Sequence, residues 1–200
     1  MRTRTITLAS TALATALLLA GCSTGSAPDD GMSGMDHGSS STEAPSSAEG
    51  QANAADEMFV QMMIPHHEQA VEMADMILAK TDMDPRVTEL AQQIKDAQGP
   101  EIETMNGWLK SWGVEAGSAH DMGDDGMMGE DDMSALETAT GDEAARLFLE
   151  GMIVHHEGAI TMAETELEGG QNPEVTGLAQ QVIDGQSAEI TTMNEILASL

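Results

Sequence analysis

Between residues 54 and 200, apolar side chains recur every three or four positions in four stretches, the period of amphipathic helices. The first stretch predicts a helix over 54–80. At about 100° per residue, Phe59, Val60, Met63, Ile64, Ala70, Val71, Met73, Ala74, Ile77 and Leu78 share one arc. Glu57, Gln61, Glu68, Gln69, Glu72 and Asp75 fill the rest of the circumference. Asp84-Pro85 starts a second helix, with Asp as the cap and Pro in the first turn. Its inward stripe runs from Val87 through Leu90, Ile94, Ile102, Met105 and Leu109 to Trp112, with a bend expected at Gly99-Pro100. A third helix is predicted over 142–168, with Phe148, Leu149, Met152, Ala159, Met162, Ala163 and Leu167 on its inner face. Asn172-Pro173 starts the fourth, which turns Val175, Leu178, Val182, Ile190, Met193 and Ile196 inward.

The third and fourth stretches repeat the first and second. Met63-Ile64-Pro65-His66-His67-Glu68 returns as Met152-Ile153-Val154-His155-His156-Glu157, and the likeness runs on for about fifty residues after each. Pro65 is expected to loosen its helix without ending it, because Val154 continues the pattern in the second copy. Each copy reads as a helical hairpin, with its turn near 81–84 or 169–172. The fold class that follows is all-α: a four-helix bundle of two repeated hairpins, 54–112 and 142–200, joined by a long linker over 113–141.

Polar residues break the inner stripes at matching places. His66 and His67 fall inside the apolar arc of the first helix, and His155 and His156 inside that of the third. Gln98 and Glu101 fall at the centre of the second stripe, Gln186 and Glu189 at the centre of the fourth. Counted from the hairpin turns at 1.5 Å per residue, each histidine pair and its Gln/Glu pair lie roughly 20 Å from the turn. All eight should therefore meet at mid-height. Burying an unpaired polar group costs roughly 2–7 kcal/mol, so such a layer must either close on itself as a hydrogen-bonded network or surround an ion.

Ligand chemistry favours copper. Imidazole suits copper, zinc, iron or nickel, and thioether sulphur singles out Cu(I). Met63, Met73, Met152 and Met162 recur beside the histidine pairs in both copies, and they are as well explained by core packing as by ligation. The candidate metal ligands are His66, His67, His155, His156, those four methionines, Glu101 and Glu189, with Cu(I) favoured over Cu(II). The chain has 17 methionines, two phenylalanines and no tyrosine, a composition suited to handling a soft metal.

Composition also bounds where the protein acts. Arg2 and Arg4 precede a nearly uncharged run to Ala20, which reads as a signal peptide over 1–21, too short for the usual spanning helix. It ends in Leu19-Ala20-Gly21-Cys22, which resembles a bacterial lipoprotein box and predicts lipidation of Cys22. Cys22 is the only cysteine, which excludes an intramolecular disulfide and a thiolate cluster. Residues 22–53 are rich in Gly, Ser, Asp and Pro and read as a disordered tether, in which Met32, Met35 and His37 form an exposed metal-catching patch or a chance grouping. The expected location is export, with the chain lipid-anchored on the outer face of the cell membrane. Against 35 acidic residues stand 7 Lys and Arg, a balance that repels nucleic acid and gathers cations. The linker, with His120, Met122, Met127, Met128 and Met133, is long enough to cross the bundle and equally reads as a surface loop.

The motif M-x-x-HH-E…M followed by Q-x-x-E-I-x-x-M, carried by Met63–Met105 and again by Met152–Met193, resembles the bacterial domain-of-unknown-function family numbered 305. That resemblance covers 54–112 and 142–200, and implies a ferritin-like bundle and exported copper binding, with a copper-handling protein as a possible partner. Val154 for Pro65 and Gly151 for Met62 depart between the copies, so the two half-sites are expected to differ. Two other classes compete. A di-iron or di-manganese carboxylate enzyme needs two Glu-x-x-His pairs, but Met63, Ile64, Met152 and Ile153 stand where those glutamates belong. A metal-free interaction module would close the polar layer on itself. No nucleophilic triad or phosphate loop is present, so the chain is not expected to be an enzyme, and its oligomeric state is not readable.

Overall fold

The structure, a computed structural model, describes residues 51–115 and 125–200. The signal segment, Cys22, the Met32, Met35 and His37 patch, His120 and Met122 lie outside the described residues. Five helices and no strand occur among those described: α1 (Ala54–Leu78), α2 (Pro85–Trp112), α3 (Glu130–Thr138), α4 (Gly141–Gly169) and α5 (Pro173–Leu197). None is long and apolar enough to cross a membrane.

The helix starts are chemical. Asn53 caps α1 in a capping box with Asp56, while Asp84 and Asn172 cap α2 and α5 ahead of Pro85 and Pro173. Gly113 ends α2 in the left-handed conformation, φ 73°. Pro65 and Pro100 lie inside unbroken helices.

α1 with α2 and α4 with α5 form the two hairpins, and α1 packs along α4. Asn53 Nδ2 donates to the Gly169 carbonyl, whereas Lys80 Nζ donates to the carbonyls of Glu137 and Ala139 at the other end. α1 and α4 therefore run antiparallel. The linker must cross from the end where Gln61 holds the Glu115 carbonyl to the end where α4 begins. The order is up, down, crossover, down, up.

Two apolar clusters stack along the axis. One joins Met73, Ile77, Leu90, Ile94, Phe148, Leu149, Met152, Met193 and Leu136. The other joins Phe59, Met63, Met105, Leu109, Met162, Val175 and Val182. The repeat exchanges them: Met63, Met105 and Met162 in one stand where Met152, Met193 and Met73 stand in the other.

Two expectations need correction. The crossover contains α3, whose Leu136 is fully buried against the core, where the sequence reading had only linker. Glu130, Asp131 and Asp132 in its first turn favour the positive end of the helix dipole. Leu167, expected inside, is 39% exposed, and Glu166 takes the inward place beside it. On the α4 wheel Glu166 falls near the centre of the buried arc and Leu167 at its edge.

Candidate metal centre

His66, His67, His155 and His156 are all fully buried, between the two apolar clusters. His66 and His155, equivalent in the repeat, place their ring centroids 3.7 Å apart at 38°. The pairs do not form two separate half-sites; they form one central layer. His67 Nε2 lies 2.8 Å from Glu101 Oε2, and His156 Nε2 lies 2.6 Å from Glu189 Oε2. The glutamates are partly exposed, at 24% and 20% of their side chains, so each reaches in from the rim. Gln98 and Gln186 are buried.

Burial drives the His66 pKa down to about 3, with the neighbouring His67 and His156 adding to it and the Asp125 carbonyl opposing. Burial and then the nearby His66, His156 and His67 hold His155 well below the ordinary histidine range, weakly opposed by the His66 backbone. Both rings are neutral at physiological pH and carry a free lone pair. Nδ1 of each of the four histidines lacks a hydrogen-bond partner, as do both nitrogens of His155 and both amide atoms of Gln98. The polar layer is not closed on itself.

A strap covers the α1–α4 side. His66 Nε2 donates to the Asp125 carbonyl at 3.0 Å, which leaves its Nδ1 as the lone-pair nitrogen. Gln69 pairs with the Met128 backbone through both amide atoms, at 2.7 and 2.9 Å. Glycine permits the fit: a Cβ on Gly158 would overlap the Asp125 carbonyl oxygen, and one on Gly151 would press on the Met128 sulphur. Met128 thus fills the space that opens where Gly151 replaces the Met62 of the first copy. The strap's grip on His66 was invisible in sequence, because a backbone carbonyl makes it.

Met63, Met73 and Met152 are fully buried and Met162 is 8% exposed, all in the clusters flanking the histidine layer. Among the described residues no three His, Asp or Glu side chains converge on a point where they would share an ion. The buried methionines of the two flanking clusters add thioether sulphur to the donors the bundle offers.

The model of the domain of unknown function DUF305 matches residues 56–197. The chain belongs to the DUF305 family. A DUF305 fragment from Deinococcus radiodurans is 33% identical, with a TM-score of 0.68 over 74% of this chain and 99% of that one. A DUF305 protein from Streptomyces coelicolor, described as secreted, is 33% identical with a TM-score of 0.68, over 72% and 93%. CopM in its Cu(I)-bound form is 33% identical with a TM-score of 0.62, over 72% and 96%. CopM is also known in Ag- and Cu(II)-bound crystal forms. No curated protein sequence matches. The ferritin-like, all-α architecture expected from the motif is that of the DUF305 neighbours.

Proposed function

We propose that this DUF305 protein binds copper in the histidine layer, and that it does so outside the cytoplasm, held to the membrane by lipid on Cys22. The observation that carries the reading is four buried imidazoles, each with an unpartnered Nδ1, at the centre of a core that stacks thioethers above and below. Leaving those nitrogens and Gln98 unpaired costs several kcal/mol in total, a cost that a bound cation would offset. The metal-bound forms of CopM support the same chemistry.

His66, His67, His155 and His156 would supply imidazole nitrogen, and Met63, Met73, Met152 and Met162 the sulphur that favours Cu(I) over Cu(II). Glu101 and Glu189 act from behind. Each accepts from Nε2 of its histidine, which fixes the tautomer and leaves Nδ1 for the metal, the usual carboxylate–histidine–metal relay. We read the protein as one that sequesters or passes on copper rather than an enzyme, the ion being its cargo.

Titration of the purified chain with Cu(I) against a competing chelator tests this. Binding by the wild type, a rise in melting temperature with metal, and loss of both in the His66→Ala/His155→Ala variant are expected. Because these two rings meet at the centre, the double variant should lose all tight binding rather than half. A wild-type melting temperature indifferent to Cu(I), with no competition, would sink the reading.

A further inference from the structure

The walls of the bundle are unequal. The strap and α3 cover the α1–α4 side. On the opposite side, where α2 and α5 touch only lightly, two grooves open between the helices, of about 210 and 340 Å³.

The repeat relates these grooves. Thr104, Trp108, Glu174 and Leu178 line the smaller one, and their counterparts Thr192, Ile196, Arg86 and Leu90 line the larger. The frame is the same, but exchanges change its chemistry, with Glu89 and Glu195 of the larger groove standing where the repeat has Gly177 and Gly107. Glu174 is replaced by Arg86, and Trp108 by Ile196. The smaller groove therefore presents Glu101, Glu174 and an indole to a cation with no basic side chain in its lining, where the larger sets the Arg86 guanidinium among the carboxylates of Glu89 and Glu195. Arg86 is held in place by Asp84, at 2.6 Å, and by Ser199.

The smaller groove also reaches the histidine layer. Glu101 lies in its wall, and the same carboxylate accepts from Nε2 of the fully buried His67, whose Nδ1 has no partner. Glu189, the counterpart, does not line the larger groove. Both carboxylates reach from the rim to a buried imidazole, but only Glu101 does so from the wall of a groove.

Resting on the copper reading above, we propose that the groove of Glu101, Glu174 and Trp108 is the route by which a soft monovalent cation enters and leaves the histidine layer. The equivalent groove, which Glu189 does not line, is not such a route. Acidic side chains at a mouth with low-dielectric walls concentrate cations there and raise on-rates, and an indole face attracts a cation as it passes. Trp108 stacks on Trp112, with ring centroids 6.3 Å apart, so the indole is held firmly at that mouth.

The test exchanges the two charges. Ag(I), a redox-inert stand-in for Cu(I), is mixed with the full-length apo protein in stopped flow, with tryptophan fluorescence as the signal. A chelator then withdraws it. Glu174→Arg should slow loading and withdrawal alike by roughly tenfold at low salt, with affinity and stoichiometry unchanged. The effect should fade as salt screens the mouth. Arg86→Glu should leave both rates within twofold of the wild type, because the larger groove does not include Glu189. Both residues are exposed, so melting curves of the apo variants should match the wild type. Uptake by all three proteins at rates within twofold of one another overturns the route and leaves the copper site standing. A change in affinity with unchanged loading rate also overturns it, since the groove would then be part of the site. No uptake by the wild type sinks the metal-binding reading and the route with it.

Discussion

His66 and His155 occupy the same position in the two repeats and meet ring to ring at the centre of the bundle, 3.7 Å between centroids. Two imidazolium ions cannot share that space, and burial keeps both rings neutral far below the ordinary titration range. The unfolded chain takes up these protons near pH 6.5, whereas native His66 holds out to about 3. Below 6.5 the unfolded state therefore binds more protons, and stability falls as pH falls. Each histidine contributes a slope of about 1.4 kcal/mol per pH unit. Urea unfolding of the metal-free protein between pH 6.5 and 5 should show this loss, and His66→Gln/His155→Gln should remove most of it. An unchanged slope in that variant would mean the rings are not held neutral.

Glu166 acts in the opposite sense. Burial first, then the hydrogen bond and charge of Asp56, push its pKa up to about 8. Asp56 is itself fully committed, accepting from the backbone nitrogens of Asn53, Gln171 and Asn172. Glu166 thus stays protonated at neutral pH beside an anchored carboxylate. Between 4.5 and 8 the native state holds a proton that the unfolded state has lost, so stability falls as pH rises across that window. Together with the histidines, this places the stability maximum of the metal-free protein near pH 6.5. Glu166→Gln keeps the shape and should flatten the alkaline limb. A limb as steep as the wild type's would assign it to other groups.

Glu101→Gln and Glu189→Gln test the roles given to the carboxylates. If these side chains orient His67 and His156 from behind, each change should weaken copper by roughly 10- to 100-fold, the range for such partners of ligating histidines. Stoichiometry should stay the same. Loss of an equivalent of metal would instead make the carboxylate a direct ligand.

How far the sequence carried these conclusions depended on the kind of contact. Helical period and the caps at Asp84-Pro85 and Asn172-Pro173 placed the four long helices to within one or two residues, because side chains and backbone preferences encode them locally. Counting from the turns put the histidines and Gln/Glu pairs at one level, since a straight helix converts residue number into length. Neither α3 nor the strap could be read that way. α3 buries a single residue, Leu136, in a segment otherwise acidic and glycine-rich. The strap is held by carbonyls, by Gln69 and by the absence of side chains at Gly126, Gly151 and Gly158. That all eight polar groups share one level follows from those residue counts, whereas the ring-to-ring meeting of His66 and His155 follows from the antiparallel docking of α1 on α4, a tertiary relationship with no local signature. The Asn53-x-x-Asp56 capping box is a local signal that places Asp56 at the bundle end.

Glycine substitutions separate the strap from the helix beneath it. Gly158 and Gly185 both lie inside long helices, where Ala is favoured over Gly by about 1 kcal/mol. Nothing approaches Gly185, so Gly185→Ala should stabilise the protein by about that amount. A methyl on Gly158 would instead strike the Asp125 carbonyl, which is backbone and cannot turn aside. Gly158→Ala should therefore destabilise the protein despite the better helix propensity, by lifting Asp125 off His66 and parting Met128 from Gln69. Urea unfolding gives the two signs, and hydrogen exchange at the Met128 amide shows whether the strap has moved. If both substitutions stabilise equally and that amide stays protected, the strap does not rest on α4 as described.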